Sequence, residues 1–165
     1  MPRMPERLVI ANTSPLFYLH QVGHLEVLRS LYGRIVIPPA VQAELAAGGK
    51  AGFAGPDVSQ AGWIEVRRVR SQELIPAVVD LGPGEAEVLA LGLEYPGSLL
   101  VLDDRLARRV AHLNSLTYTG TVGVLVKAKQ AGHVKAIRPP IQQLRATGLW
   151  LADELVAMVL DQAKE

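Results

Sequence analysis

Short apolar runs recur along this chain, and each is followed by a longer stretch whose apolar residues repeat with helical spacing. The apolar runs are "LVIA" (Leu8–Ala11), "RIVI" (Arg34–Ile37) and "SLLVL" (Ser98–Leu102), with "WIEV" (Trp63–Val66) a further short strand and the more polar "SLTYT" (Ser115–Thr119) the last. A strand that is apolar throughout is buried on both faces, and strands separated by helical segments pair in parallel. The pattern therefore predicts an α/β fold with a mostly parallel sheet of four to five strands.

Punctuation residues set the helices between these runs. Pro15 lies near the start of one helical stretch, where its missing N–H costs little. Leu25, Leu28 and Leu31 form a second stripe that ends at Gly33. Pro38-Pro39 open a third helix, with Val41 and Leu45 on one face, and Gly48-Gly49 are expected to stop it. "GGKAGFAGP" then reads as a loop. "LGPGEAEVLALGLEYPG" is a helix bracketed by Gly-Pro signals, another follows Asp103-Asp104 through Val110, and segments Thr121–Gln130, Pro140–Thr147 and Asp153–Ala163 close the chain. With no repeat, low-complexity tract or linker in 165 residues, one domain over 1–165 is expected. Its C-terminal helices, about 136–165, pack on that domain or serve oligomerisation. The stripe Leu151, Leu155 and Val159, with Val156 and Leu160 beside it, would make a dimer or partner contact if exposed.

Composition excludes several functions. A formal charge of +1 provides no general attraction to nucleic acid, so any such binding needs a local cluster. The absence of cysteine rules out disulfides and thiolate metal sites, and it fits a cytoplasmic protein. "MPRMPERLVIANTS" lacks the apolar run of a signal peptide, and no later segment is expected to span a bilayer. The P-loop spacing is missing from "GGKAGFAG", and "ANTSPL" has no dinucleotide-binding glycines. The four histidines show no metal spacing, and the few scattered aromatics argue against a stacking platform.

What remains is a set of oxygen donors. "LVIA" ends at Asn12 and "SLLVL" at Asp103-Asp104, so both groups face the C-terminal edge of the sheet, where ligands sit in α/β folds. Glu44 flanks the Val41/Leu45 stripe and can join them. On the wheel of "GEAEVLALGLE" the inner stripe is Ala86, Leu89, Ala90 and Leu93. Glu87 shares a flank with Glu94, which points it to solvent, whereas Glu85 shares one with Leu89 and Gly92 and is the preferred inward acid. Carboxylates converging without His or Cys make a hard-cation site suited to Mg²⁺ or Mn²⁺ and to phosphodiester hydrolysis. Arg105 and Arg109, four residues apart, share a face near this edge and could hold a phosphate backbone. Each donor also has a plainer reading: Asn12-Thr13-Ser14 and Asp103 as helix caps, Glu85 as a charge on a helix start, and Glu44 as solvated surface.

In order along the chain, "VIANTSPL", "IPPAVQAEL", "LGPGEAEVLALGLE", "LLVLDDRLARRVA" and "YTGTVGVLVKAKQAG" resemble the signature segments of PIN-domain proteins, notably a branch of small prokaryotic PIN-like proteins. The similarity runs from Leu8 to about Gln162. It implies a three-layer α/β/α fold and an acidic Mg²⁺/Mn²⁺ site that cleaves RNA, often in the toxin of a toxin–antitoxin pair. Carried over by position, the family's first acid falls on Asn12, the second on Glu44, the third on Glu85 with Glu87 as the alternative, and the fourth on Asp104 with Asp103 beside it. The hydroxyl after the first acid falls on Thr13 or Ser14, and the one after the last strand on Thr119 or Thr121.

The resulting expectation is a metal-dependent endoribonuclease with Glu44, Glu85 and Asp104 catalytic. Asn12, Glu44, Glu85, Asp103 and Asp104 would surround Mg²⁺ or Mn²⁺. Thr13, Ser14, Arg105, Arg109, Thr119 and Thr121 would contact the RNA. Expected partners are RNA, an antitoxin protein and a second copy in a homodimer. Asn12 departs from the pattern because an amide oxygen ligates without charge. That departure supports the competing expectation of a catalytically degenerate module that binds nucleic acid or a partner protein.

Overall fold

The computed structural model describes residues 7–50 and 55–165. Among them, β1 (Val9–Ala11), β2 (Ile35–Ile37), β3 (Ile64–Val66), β4 (Leu99–Val101) and β5 (Thr117–Thr119) form one sheet. All its pairings are parallel, in the order β3-β2-β1-β4-β5. Every residue of β1, β2 and β4 is buried, as strands covered on both faces must be. Edge strand β5 is exposed or half-buried along its length, and its sequence "TYT" is correspondingly polar.

The helices are α1 (Thr13–Gln21), α2 (Glu26–Tyr32), α3 (Pro39–Lys50), α4 (Pro83–Glu94), α5 (Arg105–Leu113), α6 (Thr121–Gln130), α7 (Arg138–Ala146) and α8 (Asp153–Gln162). They cover the sheet in a three-layer α/β/α arrangement. Helix α4 packs on β1 and β4, α2 and α1 pack on α6, and α6 packs on α8. Most of α4 is buried, and Pro83 opens it at the first helical position. Gly92 lets the sheet approach closely, since a Cβ there would lie 3.1 Å from a methyl of Leu100. Helix α5 instead buries only Ala107 and Ala111 and turns Arg105 and Arg109 outward.

One boundary differs from expectation. Helix α3 does not stop at Gly48-Gly49 but runs through both to Lys50. Each glycine costs about 1 kcal/mol relative to alanine, yet extending a formed helix needs no new nucleus, and buried Val41 and Leu45 already anchor it. Of the expected loop, residues 51–54 lie outside the described residues.

The strand order places the site. From β1 the chain winds to β2 and β3 on one side, then returns to β4 and β5 on the other. The reversal opens a crevice beyond the C-terminal ends of β1 and β4, the place where open α/β sheets bind ligands. Ala11 pairs with Val101, so Asn12 and Asp103 emerge at this crevice.

Candidate functional site

Asn12 follows β1 directly, and its N–H donates to the Val101 carbonyl at 2.9 Å, tying it to the end of β4. It occupies the N-cap position of α1, but its side chain makes no capping hydrogen bond. Capping therefore does not account for it. The side chain is 1% exposed, and among the described residues its carboxamide oxygen Oδ1 has no hydrogen-bond partner. A buried acceptor left this way costs about 1–3 kcal/mol and calls for an explanation.

One wall of the crevice is the junction of α3 and α4. Half-buried Glu44 accepts a hydrogen bond from the Thr13 hydroxyl through Oε2 and from the Gly84 N–H at 3.1 Å through Oε1. Gly84 is essential to that contact, because a Cβ there would sit 2.5 Å from the Glu44 carboxylate. Glu87 does the reverse, accepting from the Ala40 N–H at 3.2 Å. Each carboxylate thus caps the start of the other's helix, where the dipole favours negative charge. Burial raises the Glu87 pKa above the ordinary carboxylate range; the Ala40 hydrogen bond opposes this and the nearby Glu44 charge adds to it.

The flank shared by Glu87 and Glu94 is therefore not a solvent face, contrary to the helical-wheel expectation. Glu94 accepts from the N–H groups of Arg70 and Ser71 at 2.7 and 2.6 Å. A wheel carries no information about neighbouring segments, and here the neighbours are α3 and the loop after β3. Glu85 folds back over its own helix start, where a Cβ on Gly82 would lie 2.5 Å from its carboxylate.

The other wall is built at the ends of β4 and β5. Asp103 accepts from the Thr121 N–H at 2.8 Å and from the Thr121 hydroxyl at 2.6 Å. Gly120 permits this approach, since a Cβ there would be 2.7 Å from Asp103 Oδ1. Burial raises the Asp103 pKa, against the opposing pull of the Thr121 bonds and the Arg108 charge. Burial, and then the charge of Asp103, raise the Tyr18 hydroxyl in turn. Asp104 is exposed and caps its own helix α5, accepting from the Ala107 N–H at 2.8 Å.

Thr13 with Glu44 and Thr121 with Asp103 are thus brought together. Thr119 packs its hydroxyl against Gly123, Ser14 is half-buried, and Arg105 and Arg109 are exposed. The expected convergence of Glu44, Glu85 and Asp104 is absent: among the described residues no three His, Cys, Asp or Glu side chains stand together as a group that could hold a metal ion. Glu85 and Asp104 are instead drawn to the N–H-rich starts of their own helices. Gly84 and Gly120 were not singled out from the sequence, although a glycine beside each helix start was the available sign of a close backbone approach.

The donors are all oxygens: carboxylates on both walls, a neutral amide between them, and two hydroxyls. That chemistry suits a hydrated Mg²⁺ or Mn²⁺, which needs only one or two carboxylates because water and substrate phosphate complete its shell. Among the described residues no helix is long and apolar enough to cross a membrane. No curated protein matches the chain. A family model for the PIN domain matches residues 8–165. PIN domains have a nuclease-type fold and generally use divalent metal ions. With the parallel three-layer sheet, the crevice at its switch point and a match over nearly the whole length, the chain belongs to the PIN-domain family.

Proposed function

We propose that this protein is a metal-dependent endoribonuclease of PIN type, hydrolysing RNA phosphodiesters at the crevice between β1 and β4. The observation that carries the reading is the buried Asn12 oxygen without a partner, flanked by carboxylates on two walls. In this reading Asn12 and one carboxylate, Glu44 or Asp103, would hold a divalent ion whose other positions are left to water and substrate phosphate, and Glu87 stands behind Glu44 in the place of the family's third acid. Glu85 and Asp104, each held at the start of its own helix, would meet only an ion brought in by the substrate.

A bound Mg²⁺ or Mn²⁺ would supply Lewis-acid stabilisation of the charge developing on the scissile phosphate. The chain's own contribution is preorganisation. Thr13 and Gly84 fix the Glu44 carboxylate, Thr121 fixes Asp103, and neither has to move when substrate arrives. Exposed Arg105 and Arg109, one helical turn apart, would grip flanking phosphates. A toxin role, with an antitoxin partner, and a homodimer belong to the same reading; co-expression with the product of an adjacent small gene tests the first, and solution mass the second.

The experiment is cleavage of varied RNAs by the purified protein with Mn²⁺, against Asp103→Asn. Mn²⁺-dependent cleavage that the variant loses supports the reading, and wild-type protein inert towards every RNA contradicts it. A second reading, a degenerate module that binds without cutting, is favoured by the uncharged Asn12 in place of an acid. Asn12→Asp separates the two: activity that only the variant has establishes degeneracy.

A further inference from the structure

Beside Asp103 the surface opens into a groove of ≈1280 Å³ between α5, the start of α6 and the segment leading into α8. Its outer wall carries Trp150, 82% exposed. The indole is thus open to solvent and free to meet a ligand. Its presentation is fixed. Leu149 and Leu151 on either side pack against the core, the Leu149 N–H donates to the Leu144 carbonyl at 3.0 Å, and Arg145 donates to the Leu151 carbonyl at 2.6 Å and to Asp153 at 2.7 Å. Two anchored neighbours hold the ring outward.

The same groove is lined by the α5 arginines, with Asp103 and Asp104 at its crevice end and Asp80 also on it. Arg105 and Arg109 lie along α5 about one turn apart, and among the described residues neither makes an ion pair. Arg108 lies over the Tyr118 ring, 5.0 Å from its centre, so that aromatic face is already covered and Trp150 is the open one. Read along the sequence the aromatics are scattered, but the fold places Tyr118 and Trp150 in one channel leading to Asp103.

We infer that Trp150 is a base-stacking platform, and that the groove takes single-stranded RNA, with phosphates on Arg105 and Arg109 and an unpaired base on the indole. A duplex keeps its bases stacked on each other and presents no free base face to the ring, so the groove discriminates against it. The inference rests on the nucleic-acid reading of the adjacent crevice and adds the residue that selects the strand. An exposed indole that shares a groove with the guanidinium groups of Arg105 and Arg109 fits an anionic chain of flat bases, because charge and stacking are both satisfied.

The test is binding of a short single-stranded RNA to the full chain in EDTA, followed by anisotropy and by tryptophan emission. The chain has two tryptophans, and Trp63 is buried, so quenching reports on Trp150. Trp150→Ala is expected to weaken binding by at least about fivefold and to abolish quenching, and Trp150→Phe to recover most of the affinity. A duplex of equal length should bind more weakly and leave emission unchanged. Equal affinity of wild type and Trp150→Ala, equal binding of duplex, or no RNA binding overturns the inference. So does a dimeric mass that Trp150→Ala converts to monomer, which would put a second copy on the ring. Mn²⁺-dependent cleavage measured on the same preparations keeps the outcomes apart: if it persists unchanged in Trp150→Ala, stacking fails while the nuclease reading stands.

Discussion

On the α3–α4 side of the crevice, Glu44 caps α4 and Glu87 caps α3, so two carboxylates face each other across two helix starts. On the α5–α6 side, Asp103 reaches over to Thr121 while Asp104 stays on its own helix. Burial raises a carboxyl pKa on each wall, but different neighbours act on it. The charge of Glu44 pushes Glu87 further up, whereas Arg108 draws Asp103 down. Among the described residues no basic side chain pairs with Glu44 or Glu87. The first wall is therefore short of positive charge and gains most from a cation. The second combines an acid with the arginines that suit a phosphate. A crevice polarised in this way suits a metal ion and a nucleic-acid strand side by side.

The largest effect that can break this comparison is on cleavage. Asp103→Asn and Glu44→Gln are each expected to lower the Mn²⁺-dependent rate by roughly 10²–10³, the scale for losing one preorganised electrostatic group. Asp104→Asn should stay within about fivefold of wild type. A reversed order of the two aspartates, in single-turnover assays, would move the site to Asp104.

Next in size are the two glycines that let backbone reach carboxylate. Gly84→Ala and Gly120→Ala should each cost about 1–3 kcal/mol in urea unfolding, through overpacking against Glu44 and Asp103. Neither glycine has a positive φ among the described residues, so the cost comes from the side-chain contact and not from the backbone. Truncation of the neighbouring acid in the same molecule should relieve it, and failure of that double-mutant coupling would dissociate the glycines from the site.

A smaller effect concerns pH in metal-free protein. Glu87 and Asp103 bind protons more tightly folded than unfolded, so in the window above the ordinary carboxylate range the native state holds more protons. Stability must then fall as pH rises through that window, and Glu87→Gln should flatten the slope. Thermal melts at several pH values read this directly. The smallest effect is Asn12→Asp without metal, which adds a further negative charge between the two walls and should lower the melting temperature by about a few degrees. Mn²⁺ should more than restore it, because binding to the folded state alone stabilises it.

Much of the fold was legible because its cause is local. "LVIA" and "SLLVL" are apolar throughout since both faces are covered, and Pro83 and Gly33 mark a helix start and a helix end by backbone geometry. The site was legible only to the extent that its bonds are local. Asp104 capping α5 and Glu85 lying over its own helix start are what any N-terminal acid does. On a helical wheel Glu87 faces solvent, because its partner, Ala40, lies 47 positions away and is invisible to local spacing. Asp103 and Asp104 are adjacent, and the family pattern points to Asp104; only the approach of Gly120 and of Thr121, 18 positions on, ties Asp103 rather than Asp104 into the crevice. The arginines come from α5 and Trp150 from the segment between α7 and α8, so their common groove exists only in three dimensions.

The measurement closest to the central idea is anomalous scattering from crystals grown with Mn²⁺. The account predicts a peak in the crevice, about 2.0–2.2 Å from a carboxylate oxygen of Glu44 or Asp103 and within reach of Asn12 Oδ1 directly or through one water. A peak held by Glu85 and Asp104 alone, or well-ordered crystals with no bound ion at saturating Mn²⁺, would contradict it.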